Sequence, residues 1–186
     1  MILGLVRFSY LNVFEPKANP SGKLVYSVSS LIPKDNASLV REINEAIEQA
    51  IAYGVGINKF SKAQVASLRR PLRDGTQEAE AGNRGPEYKD HFFINASSVT
   101  KPGIVGPDGK PIFDPESFYS GCFGYIDVNF FPYNTSGNRG IGVGLNNIMM
   151  KKEGPRLDGR QSAEAAFAAY TDPEAQSIPN NGGDLE

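Results

Sequence analysis

Three glycines that alternate with aliphatic residues place the strongest constraint on how this chain folds. Gly140, Gly142 and Gly144 lie in the segment FFPYNTSGNRGIGVGLNN, residues 130 to 147, and isoleucine, valine and leucine follow them in turn. This period of two is typical of a β-strand, in which successive side chains point to opposite faces. Because glycine in a strand forfeits side-chain packing and costs backbone entropy, three of them require a compensating reason. The pattern predicts a core-facing side and an opposite side of nearly bare backbone that a ligand contacts.

The preceding segment, GCFGYIDVNFFPY at residues 121 to 133, predicts a second strand with one apolar face. Its other face mixes aromatic and polar side chains, a composition that suits a surface on which flat ligands stack. These side chains are Phe123, Tyr125, Asp127, Asn129, Phe131 and Tyr133. In residues 91 to 98 the same alternation places Phe93 opposite Phe92 and Ile94. If these strands are neighbours, nucleic-acid bases stack on the rings while the sugar-phosphate backbone lies along the glycines.

A buried second layer is the alternative interpretation of this face. A hydrophobic layer would then cover the aromatic side chains, and the glycines would relieve crowding where a barrel bends. Periodicity alone leaves both interpretations open.

Length and composition indicate one globular domain followed by a tail. The chain has 186 residues, of which 40% are hydrophobic and 22% are charged, which is enough for one sizeable core. Cys122 is the only cysteine, which excludes an intrachain disulfide and a cysteine-rich zinc site, and we expect it to be buried. No apolar run approaches the roughly 18 residues of a membrane-spanning helix, and the N-terminal run, interrupted by Arg7, predicts a strand and not a leader. We therefore expect a protein of the cytoplasm that contacts no membrane.

The net charge of -2 conceals a mildly basic body and an acidic C-terminal segment. Residues 161 to 186 contain five acidic residues and no Lys or Arg, so residues 1 to 160 hold 19 basic against 16 acidic residues. Two groups of basic residues are close in sequence: Arg69, Arg70 and Arg73, and then Arg139, Lys151, Lys152 and Arg156. The second group flanks the glycine strand, which favours a phosphate-binding role over scattered surface charge.

The remaining patterns predict a mainly β fold with helical insertions. The predicted strands are residues 5 to 14, 24 to 32, 91 to 98, 121 to 133 and the glycine strand. Apolar residues spaced by four predict a packed helix over residues 36 to 53, and a short helix is expected to begin at Ser61 and to end before Pro71. Residues 72 to 90 are polar and contain glycine, so we expect a mobile loop there.

No enzyme motif is complete in this sequence. A phosphate-binding P-loop needs a shorter spacing than that between Gly103 and Gly109, and it needs Ser or Thr where Pro111 follows the lysine. His91 is the only histidine, which leaves no histidine pair to bind a metal. We therefore expect a protein that is not an enzyme and that uses no cofactor or metal.

Four segments of the chain carry a resemblance to a known family. They are RFSYLNVFEP (residues 7 to 16), YSVSSLIPK (26 to 34), NAS (95 to 97) and NFFPYNTSGNRGIGVGLNNIMMKKEGPRLDGRQSAEAAF (129 to 167). They resemble the single-stranded DNA-binding proteins of tailed bacteriophages, and the resemblance covers nearly the whole chain. It implies an oligonucleotide-binding (OB) fold, here an OB-fold-like barrel with a helical insertion. It also implies a protein that coats single strands during phage DNA replication, recombination or repair.

The residue patterns and this resemblance together predict a phage single-stranded DNA-binding protein with weak sequence preference, in the cytoplasm of the bacterial host. A virion structural protein is the alternative, followed by a nucleic-acid-processing enzyme. We expect single-stranded DNA to contact aromatic, glycine and basic residues. The predicted DNA-binding residues are Phe93, Tyr125, Phe131, Tyr133, Arg139, Gly140, Gly142, Gly144, Lys151, Lys152, Arg156, Arg69 and Arg70.

The C-terminal part of the chain is expected to regulate binding. Residues 1 to 170 are expected to form the DNA-binding domain, and residues 171 to 186 an acidic, disordered tail. Residues 162 to 170 predict a short helix whose Phe167 and Tyr170 dock on the domain or on the second protomer of a homodimer. The tail is expected to compete with DNA for the basic surface and to contact phage replication or recombination proteins.

Overall fold

Runs of β-branched and aromatic residues form seven strands in the described part of the chain. The computed structural model describes residues 1 to 135, 137 to 157, 159, 167 and 170. The strands are β1 (Ile2–Ala18), β2 (Leu24–Pro33), β3 (Arg73–Asp74), β4 (His91–Ser98), β5 (Gly103–Val105), β6 (Phe123–Thr135) and β7 (Asn138–Lys152). Each strand predicted from the sequence is present, and β1 pairs antiparallel with β2 as expected.

Five of these strands close into a barrel. The antiparallel pairs β1–β2, β2–β4, β1–β6 and β6–β7 form a continuous sheet, and a parallel contact between Ser97 of β4 and Gly144 of β7 joins its two ends. The short strands extend the sheet, with β3 beside β4 and β5 beside β7. This strand order is that of the OB fold, a five-stranded Greek-key barrel, and it confirms the expected fold class.

A helical insertion, α1 (Ala37–Gly56), completes the core of the barrel. The helix begins after Asn36, whose side-chain oxygen accepts a hydrogen bond from the backbone N–H of Leu39 at 3.2 Å. One side of the helix is buried in the same hydrophobic cluster as the inward-facing residues of the strands. The buried helix residues are Leu39, Ile43, Ile47, Ala50 and Ile51. Cys122 is buried in this cluster as well, as the sequence predicts.

The short helix expected from Ser61 is a 3-10 helix, Lys62–Ser67. The chain then passes beside the first residues of β7. The backbone N–H of Arg69 donates to the carbonyl of Arg139 at 3.1 Å, and the N–H of Ile141 donates to the carbonyl of Arg69 at 3.0 Å. This bridge fastens the segment after the 3-10 helix to the glycine strand.

The prediction of a mobile loop at residues 72 to 90 is wrong. The stretch contains β3, the helix α2 (Gly75–Glu80) and a 3-10 helix (Pro86–Tyr88), and it lies on the outer face of β4. We call residues 75 to 88 the α2 segment. Only a few side chains of this segment are buried, so its composition is polar. A polar composition is also typical of a loop, which is why the sequence predicts one.

Two kinds of contact hold the α2 segment on the barrel. Asp74 caps α2 by accepting a hydrogen bond from the N–H of Thr76 at 2.9 Å, and Lys34 Nζ binds the same carboxylate at 2.8 Å. Tyr88 is fully buried, its ring centroid lies 5.0 Å from that of Phe93, and its hydroxyl donates to Ser29 Oγ at 2.9 Å. Each buried ring contributes about 1.5–3 kcal/mol, whereas a partly exposed ion pair contributes about 0–1 kcal/mol. The apolar contact therefore stabilises the α2 segment more than the ion pair does.

The predictions for the C-terminus fall mostly outside the described residues. The expected helix at residues 162 to 170 lies outside them apart from Phe167 and Tyr170, which are exposed. The expected tail at residues 171 to 186 lies outside them entirely. In the part of the chain that the structure describes, no helix is long and apolar enough to cross a membrane.

Candidate nucleic-acid interface

The outward face of β6 carries the aromatic residues that alternation predicts. Burial alternates along the strand, with Gly124, Ile126 and Val128 buried and Tyr125, Asn129 and Phe131 exposed. The predicted assignment of the two faces is therefore confirmed. Phe131 is 42% exposed and Tyr125 is 37% exposed, so both rings are accessible to a ligand.

The glycines of β7 do not form a bare strip, because side chains of β6 lie against two of them. Phe131 is opposite Gly142, where an added Cβ atom would come within 2.6 Å of the ring. Asn129 is opposite Gly144, where an added Cβ would come within 2.4 Å of Asn129 Oδ1. Because neither glycine has a side chain, the ring of Phe131 and the amide of Asn129 can pack directly against the sheet. The outer side of the Phe131 ring remains open to a ligand, whereas the predicted bare strip of backbone is partly covered by these two side chains.

Gly140 is required for a different reason, the close approach of another stretch of backbone. An added Cβ at Gly140 would lie 2.4 Å from the carbonyl oxygen of Arg69. That carbonyl is held in place by the hydrogen bond from Ile141, so it has little freedom to move aside. Gly140 is therefore a structural residue and offers no surface to DNA.

Tyr125 lies on a separate surface from Phe131. Phe131 is six positions after Tyr125, which corresponds to about 20 Å along β6. The Tyr125 ring lies over Gly4 of β1, where an added Cβ would come within 1.9 Å of it. With Ile2 and Met149 it lines an apolar pocket of about 400 Å³ on the side of the barrel formed by β1, β6, β7 and β5. The rings of Tyr125 and Phe131 therefore do not form one continuous surface.

Phe93 is not available for stacking. It lies on the opposite face of β4 from Phe92 and Ile94, as predicted, but it is fully buried beneath Tyr88 of the α2 segment. Arg73 closes another side, with its guanidinium 4.9 Å from the ring centroid. The prediction that Phe93 contacts DNA is wrong, because the α2 segment, which directly precedes β4 in the sequence, folds back over it. The buried second layer is thus correct for this part of the face.

The basic residues around the glycine strand divide between its two ends. Arg139, at the beginning of β7, and Arg69 line an open pocket of about 430 Å³ next to the half-buried Tyr133. Lys151 and Lys152 lie at the other end of β7, about 40 Å away at roughly 3.3 Å per strand residue. The predicted basic cluster is therefore continuous only in sequence, and the structure brings Arg69 and Arg139 together at the end where β7 begins.

Arg70 and Arg156 bind acidic groups of the protein itself. Arg70 pairs with Glu48 of α1. Arg156 pairs with Glu116 at 3.2 Å, and its guanidinium lies 3.9 Å from the ring centroid of Tyr119. A phosphate would have to compete with these partners, so both arginines hold parts of the protein together in this structure.

A row of small residues crosses the barrel beside Phe131, and of its members only Gly144 is among the DNA-binding residues predicted above. Ser27 of β2 pairs with Ser97 of β4, and Ser97 is level with Gly144 of β7. Asn95, two residues before Ser97 on the same face, is exposed. We call Ser27, Asn95, Ser97 and Gly144 the polar floor. The alternation of serine and asparagine with buried aliphatic residues is the signal that could have found it.

The polar floor occupies the face through which OB folds bind their ligands. In this fold the second and third barrel strands and the loops beside them contact oligonucleotides. Here those strands are β2 and β4. The α2 segment covers the part of the face around Phe93 and leaves the polar floor open.

Ion pairs neutralise the charges that border the α2 segment. The hydrogen-bonded ammonium of Lys34 holds the pKa of Asp74 below its ordinary value, and the guanidinium of Arg73 does the same for the pKa of Glu78. Both carboxyl groups are therefore charged at neutral pH and offset their basic partners. Among the described residues, no acidic side chain forms an ion pair with Arg69 at the β7 end.

A protein-family model matches residues 1 to 177 of the chain. Its description reads "Enterobacter phage Enc34, ssDNA-binding protein". The chain belongs to this family. No curated protein matches the chain.

Solved structures of Enc34-family and related proteins share the fold of this chain. The single-stranded DNA-binding protein from bacteriophage Enc34 in complex with ssDNA superposes with a TM-score of 0.72 at 20% identity, over 84% of this chain and 88% of that chain. A second structure of the Enc34 protein gives a TM-score of 0.68 at 20% identity, over 89% and 88% of the two chains. The single-stranded DNA-binding protein gp2.5 of bacteriophage T7 gives 0.53 at 16% identity, over 87% and 97%. At these identities the likeness establishes the shared fold.

Substitution of Gly140 by alanine tests the role assigned to the glycines of this Enc34-family chain. The new Cβ meets a backbone carbonyl that cannot swing away, so we expect the free energy of unfolding to fall by about 1–3 kcal/mol. Gly142→Ala should cost less, because the ring it meets is the free end of a side chain. Gly56→Ala, whose Cβ meets nothing within 4 Å, is the control. Urea denaturation of the three variants measures the difference, and equal stability of Gly140→Ala and Gly56→Ala would contradict this role.

Proposed function

We propose that this chain binds single-stranded DNA with weak sequence preference and does not catalyse a reaction. The observation that carries the proposal is an exposed ring, Phe131, held flat beside an open polar floor on the ligand face of an OB fold. Membership of a family described as an ssDNA-binding protein supports it. The complex of the Enc34 protein with ssDNA shows that a protein of this fold holds such a ligand.

Stacking on Phe131 supplies affinity without sequence preference. Every base has a π-face, and a stacked base contributes about 1–3 kcal/mol. Because the ring already lies against Gly142, little side-chain entropy is lost when a base stacks on its outer side. Phe131 is therefore the first anchor of the strand.

The polar floor and the two arginines at the β7 end bind the rest of the nucleotide. The hydroxyl groups of Ser27 and Ser97 and the amide of Asn95 donate and accept hydrogen bonds, so they suit any base edge or sugar. Arg69 and Arg139 line one open pocket at the beginning of β7 and supply positive charge for phosphates of the same strand. Their contribution is electrostatic and independent of sequence.

The biological role that follows is the coating of single strands during phage DNA replication, recombination or repair in the host cytoplasm. Residues 1 to 170 form the binding domain in this proposal. Residues 171 to 186 form an acidic tail that is available to replication or recombination proteins, since they contain acidic and no basic residues. Protection of exposed single strands requires affinity and coverage, and it requires no catalytic group.

The salt dependence of binding tests the role of the two arginines. For single strands, log K falls with log salt with a slope of about -0.7 for each neutralised phosphate. We expect the slope to become shallower by about 0.7 in Arg69→Gln and again in Arg139→Gln, measured by fluorescence anisotropy with an oligothymidylate. Lys152→Gln, at the far end of β7, is the matched control and should keep the wild-type slope. A wild-type protein with no affinity, or with an affinity that salt does not change, would refute the proposed function.

Deletion of residues 172 to 186 tests whether the tail competes with DNA. A tethered anion acts at high effective concentration, so we expect its removal to raise the affinity for single strands and to relax discrimination against duplex. The effect should be largest at low salt, where exposed charges are least screened.

A full-length variant with a neutral tail separates charge from chain length in this test. It carries Asp172→Asn, Glu174→Gln, Asp184→Asn and Glu186→Gln, and it should behave like the deletion. If the deletion and the wild type bind both ligands equally at low salt, the tail does not compete.

A further inference from the structure

A second cluster of aromatic rings lies at the β1 side of the polar floor, opposite Phe131. At its centre is Arg84 of the α2 segment, whose Cζ atom is 4.9 Å from the ring centroid of Tyr10 and 5.4 Å from those of Tyr88 and Phe93. A guanidinium within about 6 Å of a ring centroid is attracted to the face of the ring. Arg84 thus connects one exposed ring, that of Tyr10, to two rings that are buried.

An irregularity in β1 presents Tyr10 to solvent. The register between β1 and β2 shifts between Ser9 and Asn12, and the φ angle of Tyr10 is 48°. This left-handed conformation is rare for a bulky residue, and a bulge of this kind re-aims a side chain. The side chain is 53% exposed in spite of the contact with Arg84. Backbone strain combined with an accessible ring is a combination found at ligand sites.

Tyr10 is tied to the polar floor through Asn12. The side-chain amide of Asn12 donates to the carbonyl of Tyr10 at 3.0 Å and lies 3.4 Å from Ser27 Oγ. The Phe131 ring lies over β7, and across β4 and β2, β7 is three strand spacings from β1, or about 15 Å along the sheet. This distance corresponds to about four stacked nucleotides at 3.4 Å each.

The surroundings of Tyr10 indicate which part of a nucleotide it accepts. The ring borders an open groove of about 760 Å³ that also includes Tyr119 and Lys17. The acidic Glu15, Glu87 and Glu116 offset the basic Lys17 and Arg156 in the same groove, so its lining carries no excess of positive charge to bind a phosphate. The groove beside Tyr10 therefore fits an uncharged, flat base better than a phosphate.

We propose that Tyr10 stacks an unpaired base and forms the second anchor of a strand whose first anchor is Phe131. The inference rests on the proposed function, since it assigns a further contact to the same ligand. Arg84 acts as a positioning residue, because it holds the Tyr10 ring against the α2 segment. The polar floor between the two rings then carries the intervening nucleotides.

Photo-crosslinking and affinity measurements on the full-length protein test this assignment. The probe is an oligothymidylate of about 12 nucleotides, within the range of OB-fold site sizes, with one 5-iodo-deoxyuridine. We expect mass spectrometry to find a crosslink on the peptide that contains Tyr10. Tyr10→Ala should bind the unmodified oligonucleotide roughly 5- to 150-fold more weakly, the loss of one stacked base, while Tyr10→Phe should retain the wild-type affinity. Tyr53→Ala, which removes an exposed ring from α1, is the control and should bind normally.

The outcomes separate this inference from the proposed function. If the wild type binds the oligonucleotide but gives no crosslink at Tyr10, and Tyr10→Ala binds as tightly as the wild type, the second anchor is overturned while the proposed function stands. If the wild type does not bind, the proposed function falls as well. Should Tyr10→Ala fail to fold by circular dichroism, the wild-type crosslink decides the question. Equal weakening in Tyr10→Phe and Tyr10→Ala would also overturn stacking as the contact.

Discussion

The parallel contact between β4 and β7 is the constraint on which the rest of the structure depends. At Ser97 and Gly144 it joins the two ends of the sheet, so the barrel closes and its central strands have no free edge. Closure also places the second, third and fifth barrel strands side by side on one outward face. Gly144 has no side chain at this seam, and the amide of Asn129 lies over it from β6. The polar floor exists because these strands meet here.

The α2 segment determines how much of that face remains accessible. Tyr88 of this segment packs edge to face on Phe93 of β4, and the burial of the two rings outweighs the partly exposed ion pair between Lys34 and Asp74. The segment therefore turns a broad sheet surface into a narrower floor with an aromatic ring at each side. In the proposed function this narrowing sets the direction of the DNA across the strands, from Phe131 towards the β1 side.

The alternation of residues in β6 and β7 predicted the strands, their faces and the buried Cys122, because period-two patterning follows directly from strand geometry. The burial of Phe93 did not follow from this patterning. It depends on Tyr88, which is only five residues away but belongs to a polar stretch whose composition gives no sign that it folds back over β4. The basic residues show the same limit. Lys152 and Arg139 are close in sequence, but an extended strand separates them by about 40 Å. Local patterns thus predict the strands and their buried and exposed faces. The candidate site does not follow from them, because its residues come together only when the barrel closes.

The relative loss of single-stranded DNA affinity in Phe131→Ala and Tyr125→Ala tests the central claim most directly. Both variants remove a partly exposed ring from the outward face of β6, and only Phe131 lies beside the polar floor. We expect Phe131→Ala to weaken binding by about 1–3 kcal/mol and Tyr125→Ala to leave the dissociation constant unchanged within error. The opposite order, with Tyr125→Ala as the impaired variant and both proteins folded, would place the DNA on the β1–β5 side and contradict the proposed binding face.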